Sequence, residues 1–347
     1  MKFMRISFAV IITFLIPVFF PAQRIEAGCE PVRISSLDSL ASDISLLGYV
    51  PSGGNLPVLA AANNWFGLLS RVQLLPCDSR ELNAIQEDTS GKWGYYGIAD
   101  WSIGGDKVLV LAPPPRCSPL EIQSEVPVGS ETGFILDGYE TLRNPQAAIR
   151  TPGMQVTDLV PDSTGRFTFS AAEYGIYWVE IMEQTASGPS ITLLFPVISG
   201  GTVTDVLMGD IPSAASDASC PEDILDEVNM LRENAGIPAL HRESMLDSIA
   251  FIRAGALAFS GTSVHFSPLN SDLPDILPAG METYGENIGR GAGYQEAWSM
   301  ILISPFHLRT CMSPAYRNIG IAGAVDSGAY EWQLVMVQIF TSERNGL

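Results

Sequence analysis

The chain contains only three histidines in 347 residues, His241, His265 and His307. Imidazole binds divalent metals when neutral and transfers protons in acid–base catalysis, so each histidine is a candidate for chemistry. His307 follows a Ser-Pro break and precedes a Gly-Ile-Ala strand start, in the stretch SPFHLRTCMSPAYRNIGIAG. The local pattern leaves two interpretations open, a working side chain or a buried ring.

Covalent catalysis finds little support among the motifs. Acyl transfer needs a nucleophile, a base and an oxyanion hole. The sequence contains no Gly-x-Ser-x-Gly elbow, no His-Glu-x-x-His zinc-peptidase helix and no Lys-Ser/Thr phosphate loop. Cys311 lies four residues after His307, but a disulfide or a buried thiol is favoured over a reactive Cys–His pair. We therefore expect that the protein is not an enzyme, although this stays open.

The N-terminus predicts export. In residues 1–28, Lys2 and Arg5 precede an apolar run and small residues offer cleavage sites, which is typical of a secretory signal. The location is then extracellular or in the cell envelope. The formal net charge of −19 disfavours nucleic acid and anionic lipid surfaces as partners.

Five cysteines in an exported chain predict disulfides and one unpaired thiol. Cys29 follows small residues near the predicted cleavage site, which indicates lipidation and so a membrane contact through a lipid anchor. The pairs that respect the domain boundaries are then Cys77–Cys117 and Cys220–Cys311. The alternative is that Cys29 pairs with another cysteine, or that some thiols are free.

Two Pro- or Ser-rich segments, 112–119 and 209–223, predict linkers. They divide the chain into modules of residues 29–118, 119–210 and 220–347, with 211–219 as a linker. The middle segment contains TGFILDG, GRFTFSA, YGIYWVEIME and SITLLFPVIS, which are β-rich runs between turn residues. They predict an Ig-like β-sandwich that acts as a spacer or a contact surface.

The C-terminal segment predicts helices that begin at Pro221, Ser244 and Tyr294, followed by strands near 318–325 and 330–341. Because the last strand is apolar on both faces, helices should cover both sides of its sheet, in a three-layer α–β–α sandwich. The fold class is therefore multidomain α+β. Residues 93–113 resemble residues 316–340, so the first segment is either a degenerate copy of the C-terminal unit or simply another hairpin.

Five C-terminal motifs together resemble the CAP superfamily (cysteine-rich secretory, antigen 5 and pathogenesis-related proteins), in its bacterial SCP-like branch. They are EVNMLRENAGIPAL, VHFSP, GENIG, EAW…SPFHLRT…YRNIGIAG and WQLVMVQIF, in the family's order over residues 220–342. The resemblance implies the CAP fold, with a central cleft lined by two histidines and acidic residues.

Carried onto this chain, the cleft histidines are His265 and His307 and the cleft glutamate is Glu286. Ser304 stands where relatives have a second glutamate, whereas Glu296 matches an earlier glutamate of that helix. A helix histidine of the family is replaced by Arg253. Each cleft histidine could instead be a ring that only hydrogen-bonds a carboxylate. Glu286 could cap a Gly-flanked turn, with Asn287 shaping that turn.

The resemblance implies a capacity for zinc or another divalent cation at His265, Glu286 and His307, with a position open to water or ligand. Three functions follow. The first is a binding module for a small ligand, a lipid, a cation or an extracellular protein. The second is a metal-dependent hydrolase of extracellular peptide or polysaccharide, and the third is a structural or adhesive protein with a vestigial cleft.

Overall fold

The computed structural model describes residues 32–47, 49, 51, 54–66, 69, 71–75, 94–101, 106–112, 116–186, 188–213, 216–260, 265, 284–326 and 333–342. The predicted signal, Cys29 and Cys77 lie outside these residues. None of the helices in the described part of the chain combines the length and the apolarity needed to cross a bilayer.

In the first module, residues 32–112, the described residues form a four-stranded sheet with two helices. Its elements are β1 (Val32–Arg33), α1 (Ser35–Leu47), α2 (Asn55–Ala62), β2 (Arg71–Leu75), β3 (Tyr95–Asp100) and β4 (Lys107–Ala112). The sheet order is β1-β3-β4-β2, in which only the β1–β3 pair is parallel. Leu37, Leu40, Ala41 and Ile44 recur at helical spacing and are fully buried, so α1 packs one apolar face on the sheet.

The middle module, residues 116–213, is a β-sandwich. Its elements are β5 (Ser118–Leu120), β6 (Glu125–Val126), β7 (Ser130–Asp137), β8 (Gln146–Arg150), β9 (Val156–Leu159), β10 (Arg166–Ala171), β11 (Gly175–Thr185), β12 (Gly188–Ser199) and the short helix α3 (Val203–Leu207). The two sheets have the orders β10-β7-β5 and β6-β12-β11-β8-β9. Phe134 of one sheet meets Phe195 of the other edge-on at 5.3 Å between ring centroids, which places the core between the sheets. The four β-rich runs of the sequence lie in β7, β10, β11 and β12, as predicted.

The C-terminal module, residues 216–342, contains the predicted helices and strands. They are α4 (Pro221–Asn234), β13 (His241–Arg242), α5 (Ser244–Ser260), β14 (Tyr284–Gly291), α6 (Tyr294–Ile303), α7 (Pro305–Cys311), β15 (Asn318–Asp326) and β16 (Gln333–Thr341). The sheet order is β13-β15-β16-β14. Proline at the first position of α4, followed by Glu222 and Asp223 in its first turn, suits the positive end of the helix dipole.

Helices cover both faces of this sheet. Met336 and Phe340 of β16 pack with α4, α6 and α7. Val335, Val337 and Ile339 alternate with them along the strand and pack with α5 on the other face. The two apolar faces of β16 therefore produce three layers, because each face is buried by its own set of helices.

The first and C-terminal modules share one frame. Their strand orders and directions are the same, and each holds the helix after its first strand, α1 or α5, by an aspartate, Asp38 or Asp247. The aspartate accepts hydrogen bonds from an arginine of the preceding strand, Arg33 or Arg242, with the shorter Nε–O distance 2.9 Å in both modules. It also accepts the backbone N–H of the neighbouring long strand, at 2.8 Å in the first module and 2.9 Å in the last.

A glycine lets each helix approach its sheet at this point. A Cβ at Gly97 would lie 2.0 Å from the carbonyl carbon of Leu37, and a Cβ at Gly320 would lie 2.1 Å from that of Leu246. No side chain fits between backbones this close, so glycine is required at both crossings. The two modules therefore agree in the detail of helix docking as well as in strand order.

The three modules meet in one apolar cluster, which contains Val58 of α2, Trp178 of β11 and Ile303 of α6. The segment 211–219, predicted as a linker, does not behave as a solvated one at its described positions. Ile211 and Ala218 are 1% and 2% exposed. Ile211 packs into the cluster where the modules meet, and Ala218 packs into the core of the C-terminal module, because apolar side chains gain by leaving water.

Candidate functional site

A buried ion pair lies at the centre of the predicted cleft. Arg253 of α5 donates from Nε to Glu286 Oε1 of β14 at 2.8 Å, and its Nη2 lies 3.3 Å from Oε2. The two side chains are only 3% and 5% exposed. Burial alone would raise the pKa of Glu286, but the hydrogen bonds and charges of His265 and Arg253 outweigh it and hold that pKa below its ordinary value. Glu286 is therefore ionised at neutral pH.

His265 joins this pair. Its Nδ1 lies 3.0 Å from Glu286 Oε2, and its backbone carbonyl accepts a hydrogen bond from Arg253 Nη2 at 2.6 Å. Because an ionised carboxylate can only accept, Nδ1 carries the hydrogen. In the neutral ring, Nε2 is then left as the acceptor of the imidazole. The side chain is 20% exposed, so part of the ring remains accessible.

His307 approaches the same group from α7. Its backbone N–H donates to Ser304 Oγ at 3.2 Å, and its carbonyl accepts from Asn287 Nδ2 at 3.0 Å. Desolvation of the half-buried ring, reinforced by the positive charge of protonated His265, lowers the pKa of His307 to about 3. His307 is therefore neutral at physiological pH.

The arrangement suits hydrogen bonding to a ligand better than covalent chemistry. A neutral His307 can donate one hydrogen bond and accept another, and His265 offers Nε2. Cys311, the nearest nucleophile in sequence, is fully buried and accepts a hydrogen bond from Asn287 Nδ2 at 3.3 Å. Burial raises the pKa of its thiol to about 12, so the reactive thiolate does not form at neutral pH.

These residues do not fit a divalent cation. Both oxygens of Glu286 are already engaged by nitrogen donors, and the fixed positive charge of Arg253 lies 2.8 Å from one of them. A dication would have to displace these bonds beside a guanidinium that cannot lose its proton. Among the described residues, no group of three or more His, Cys, Asp or Glu side chains could hold a metal ion.

Ser304 and Glu296, the two other residues predicted at the cleft, have separate roles. Ser304 is 1% exposed, and besides capping α7 its hydroxyl lies 2.9 Å from both carboxylate oxygens of Glu180, in the middle module. Glu296 accepts the backbone N–H of Ala292, in the segment just before α6, at 2.8 Å. Sequence reasoning missed Glu180; a charged residue within the apolar run YWVEIM was the available signal.

The segment around Glu286 is a strand, so the prediction of a Gly-flanked turn is wrong. It pairs with β16 along its whole length, with Glu286 opposite Ile339 and Asn287 opposite Gln338. Asn287 is fully buried, and its amide bridges His307, Cys311 and Gln338. Its role is to tie β14 to α7, and not to shape a turn.

The first module has the same frame without the charges. Arg33 of the first module is equivalent to Arg242 of the last. Ile44 follows Arg33 at the same spacing at which Arg253 follows Arg242, so Ile44 takes the place of Arg253. The shared strand register places Val72 where the C-terminal module has Glu286. Ile44 and Val72 are both fully buried. An apolar pair therefore replaces the ion pair as a unit, which is the replacement that avoids an unpaired buried charge.

The predicted Cys220–Cys311 disulfide is not formed, since both residues are free thiols, as is Cys117. Cys220 occupies the N-cap position of α4, whereas Cys311 ends α7 inside the core. Packing each thiol into a different environment keeps them unbonded. The partner predicted for Cys117, Cys77, lies outside the described residues.

No protein-family model matches the chain, and no curated protein matches it. Among solved structures it is similar to an outer surface protein from Borrelia burgdorferi, at 18% identity over 35% of this chain and 91% of that chain, with a TM-score of 0.31. It is similar to an extracellular protein containing a SCP domain from Bacillus anthracis str. Ames, at 16% identity over 67% and 68% of the two chains, with a TM-score of 0.30. A third is a cysteine-rich secretory protein from Staphylococcus aureus, at 12% identity over 65% and 83%, with a TM-score of 0.26.

Proposed function

We propose that the chain is an extracellular or envelope-attached bacterial binding protein of the CAP type, and that its C-terminal cleft takes a small ligand or a lipid. The observation that carries the proposal is the buried Arg253–Glu286–His265 group, together with the hydrogen bond from Asn287, the residue after Glu286, to the backbone carbonyl of His307. Export is supported by the sequence of residues 1–28, and attachment by the predicted lipidation of Cys29.

The ligand chemistry follows from the charges. Arg253 and Glu286 neutralise each other, and His307 is uncharged at neutral pH. The groups left to contact a ligand are imidazole nitrogens, which suit hydroxyl, amide or ester oxygens rather than a strong ionic charge. We propose that Arg253 takes the central place of the cation that the family resemblance implies, so that the cleft works without a resident metal.

The experiment is a ligand screen read by the histidine rings. With 13C-labelled histidine the protein gives three ring signals, each assigned by one substitution. Saccharides, short peptides, fatty acids, phospholipid micelles and Zn2+ are added in turn. We expect a binding compound to move the signals of His265 and His307 and to leave that of exposed His241 unchanged.

The matched variant is the double change His265→Ala with His307→Ala, compared with His241→Ala. Loss of binding in the double variant alone supports the proposal. Binding that survives the double change, or a screen in which no class moves either ring, overturns it. Turnover of a peptide or polysaccharide that stops on metal chelation would favour the hydrolase function instead.

We further infer that the first module is a reduced copy of the CAP frame and that the middle sandwich is Ig-like. The shared strand order, the aspartate contacts at Asp38 and Asp247 and the glycine crossings support the first inference. With Ile44 and Val72 in place of the ion pair, the copy has lost the polar groups of the cleft at these positions. We therefore assign ligand binding to the C-terminal module alone.

A further inference from the structure

The helix that carries His307 lies between two modules. One side of α7 packs on the C-terminal sheet through Leu308 and Cys311. Its other side contacts β8, β9 and β11 of the middle module. Around it, Arg150 of β8 donates to the carbonyl of Leu302 at 3.1 Å, and Arg309 pairs with Asp158 at 2.5 Å. The middle module is therefore in direct contact with an element of the cleft.

Glu180 is the central group of this contact. It is fully buried on β11, and its carboxylate accepts hydrogen bonds from the Ser304 hydroxyl and, at 2.9 Å, from the backbone N–H of Phe306. No cation among the described residues forms a salt bridge with it, and Arg309 acts on it only at longer range. A buried carboxylate is costly unless hydrogen bonds compensate for lost water. Here all of those bonds come from the first turn of α7.

Both peptide groups of His307 are restrained by this network. Ser304, which donates to Glu180, accepts the backbone N–H of His307. On the opposite side, Asn287, the residue after Glu286, donates to the carbonyl of His307. The backbone that carries the ring is thus held by one contact that begins in the middle module and by another that begins in the cleft strand.

We propose that Glu180 is a positioning residue of the cleft, which holds His307 in place through Ser304 and the first turn of α7. Of the two roles that the sequence predicts for the β-sandwich, a spacer or a contact surface, this proposal assigns it the second, as a working part of the site. The proposal deepens the proposed function, since it assigns to the middle module the control of the ligand-facing ring.

The test compares two buried glutamates of the same strand. Glu180→Gln weakens the contact with α7, because one arm of the amide can no longer accept a hydrogen bond. Glu183→Gln is the matched control: Glu183 is 1% exposed on β11, but it pairs with Arg116 and accepts the N–H of Arg143, away from α7. Both variants lose one buried carboxylate, so a general loss of stability affects both.

The measurement is the ring signal of His307 at pH 5.5, with 13C-labelled histidine. In the wild type we expect the neutral ring. In Glu180→Gln we expect water to reach the loosened ring, so that its pKa rises by one unit or more and its signal moves toward the protonated form. Because burial raises the pKa of Glu180 to about 7, this residue is mostly neutral at pH 5.5 and its change to glutamine removes little charge, so a rise in the pKa of His307 reports a change of position and not of electrostatics.

Ser304 provides a second route if Glu180→Gln fails to fold. Ser304→Ala should reproduce the change at His307, and Ser304→Thr, which keeps the hydroxyl, should restore the wild-type signal. An unchanged or downward pKa of His307 in Glu180→Gln, or an equal change in Glu183→Gln, overturns the proposal. Because no ligand is added, this result is independent of the ligand screen, and either can fail without the other.

Discussion

Ser304 connects the buried carboxyl of Glu180 with the half-buried His307. These two groups should make the stability of the protein respond to pH in opposite directions. Burial raises the pKa of Glu180 from 4.5 to about 7, against the hydrogen bonds from Phe306 and Ser304 that lower it. Desolvation lowers the pKa of His307 from 6.5 to about 3. The stability from Glu180 is fully present below pH 4.5 and is lost as pH rises through 7. The stability from His307 is present above pH 6.5 and is lost as pH falls toward 3.

Between pH 4.5 and 6.5 both groups change the stability of the protein, and their contributions have opposite signs. Integrating either titration between these limits gives about 2 kcal/mol of unfolding free energy. In the wild type these contributions nearly cancel. Replacing His307 by Asn removes one of them, so the variant should gain about 2 kcal/mol relative to the wild type as pH falls from 6.5 to 4.5.

Urea denaturation at pH 4.5, 5.5 and 6.5 measures this difference at each pH, so that contributions of unrelated groups subtract out. Adding Glu180→Gln to the His307→Asn variant should then abolish the gain of about 2 kcal/mol on lowering the pH from 6.5 to 4.5, because that gain comes from the protonation of Glu180. His241→Asn, at an exposed position, is the control and should follow the wild type. Parallel profiles for His307→Asn and the wild type would refute the reasoning about the buried ring.

Three further predictions concern the cleft and the helix crossing. Arg253→Ile alone should cost about 3–5 kcal/mol in urea denaturation, because Glu286 is left buried without its cation, whereas adding Glu286→Val should recover most of the loss; equal stability of the single and double variants would contradict this. Arg253→His should allow Zn2+ binding, measured by calorimetry, that the wild type lacks; stoichiometric zinc on the wild type, lost when His265 is replaced, would contradict the metal argument. Gly320→Ala should destabilise the protein strongly, because its Cβ would meet the backbone of α5. Gly255→Ala, where the space is open, should be neutral or stabilising, so similar costs at the two glycines would count against the packing argument.

Much of the architecture was present in the amino-acid sequence itself. The spacing of apolar residues predicts α4, α5 and α6, and the β-rich runs predict four strands of the middle module. The two apolar faces of β16 predict the layers that cover it. The family resemblance also selects His265, Glu286 and His307 as one group. The helices and strands can be predicted because hydrophobic period and turn residues are local properties of a few consecutive residues, whereas the grouping of the three site residues stays a prediction.

Only the tertiary structure decided what surrounds the candidate site. The partner of Glu286 is Arg253 on another element, and Ser304 meets Glu180 across 124 positions of the chain. The GENIG segment is a strand because β16 supplies its hydrogen bonds, although its glycines suggest a turn. Cys220 and Cys311 stay unbonded because packing gives them different environments. Such contacts depend on which distant elements the fold brings together. The free energy of burying a charge is set by these neighbours, and no local sequence pattern identifies them.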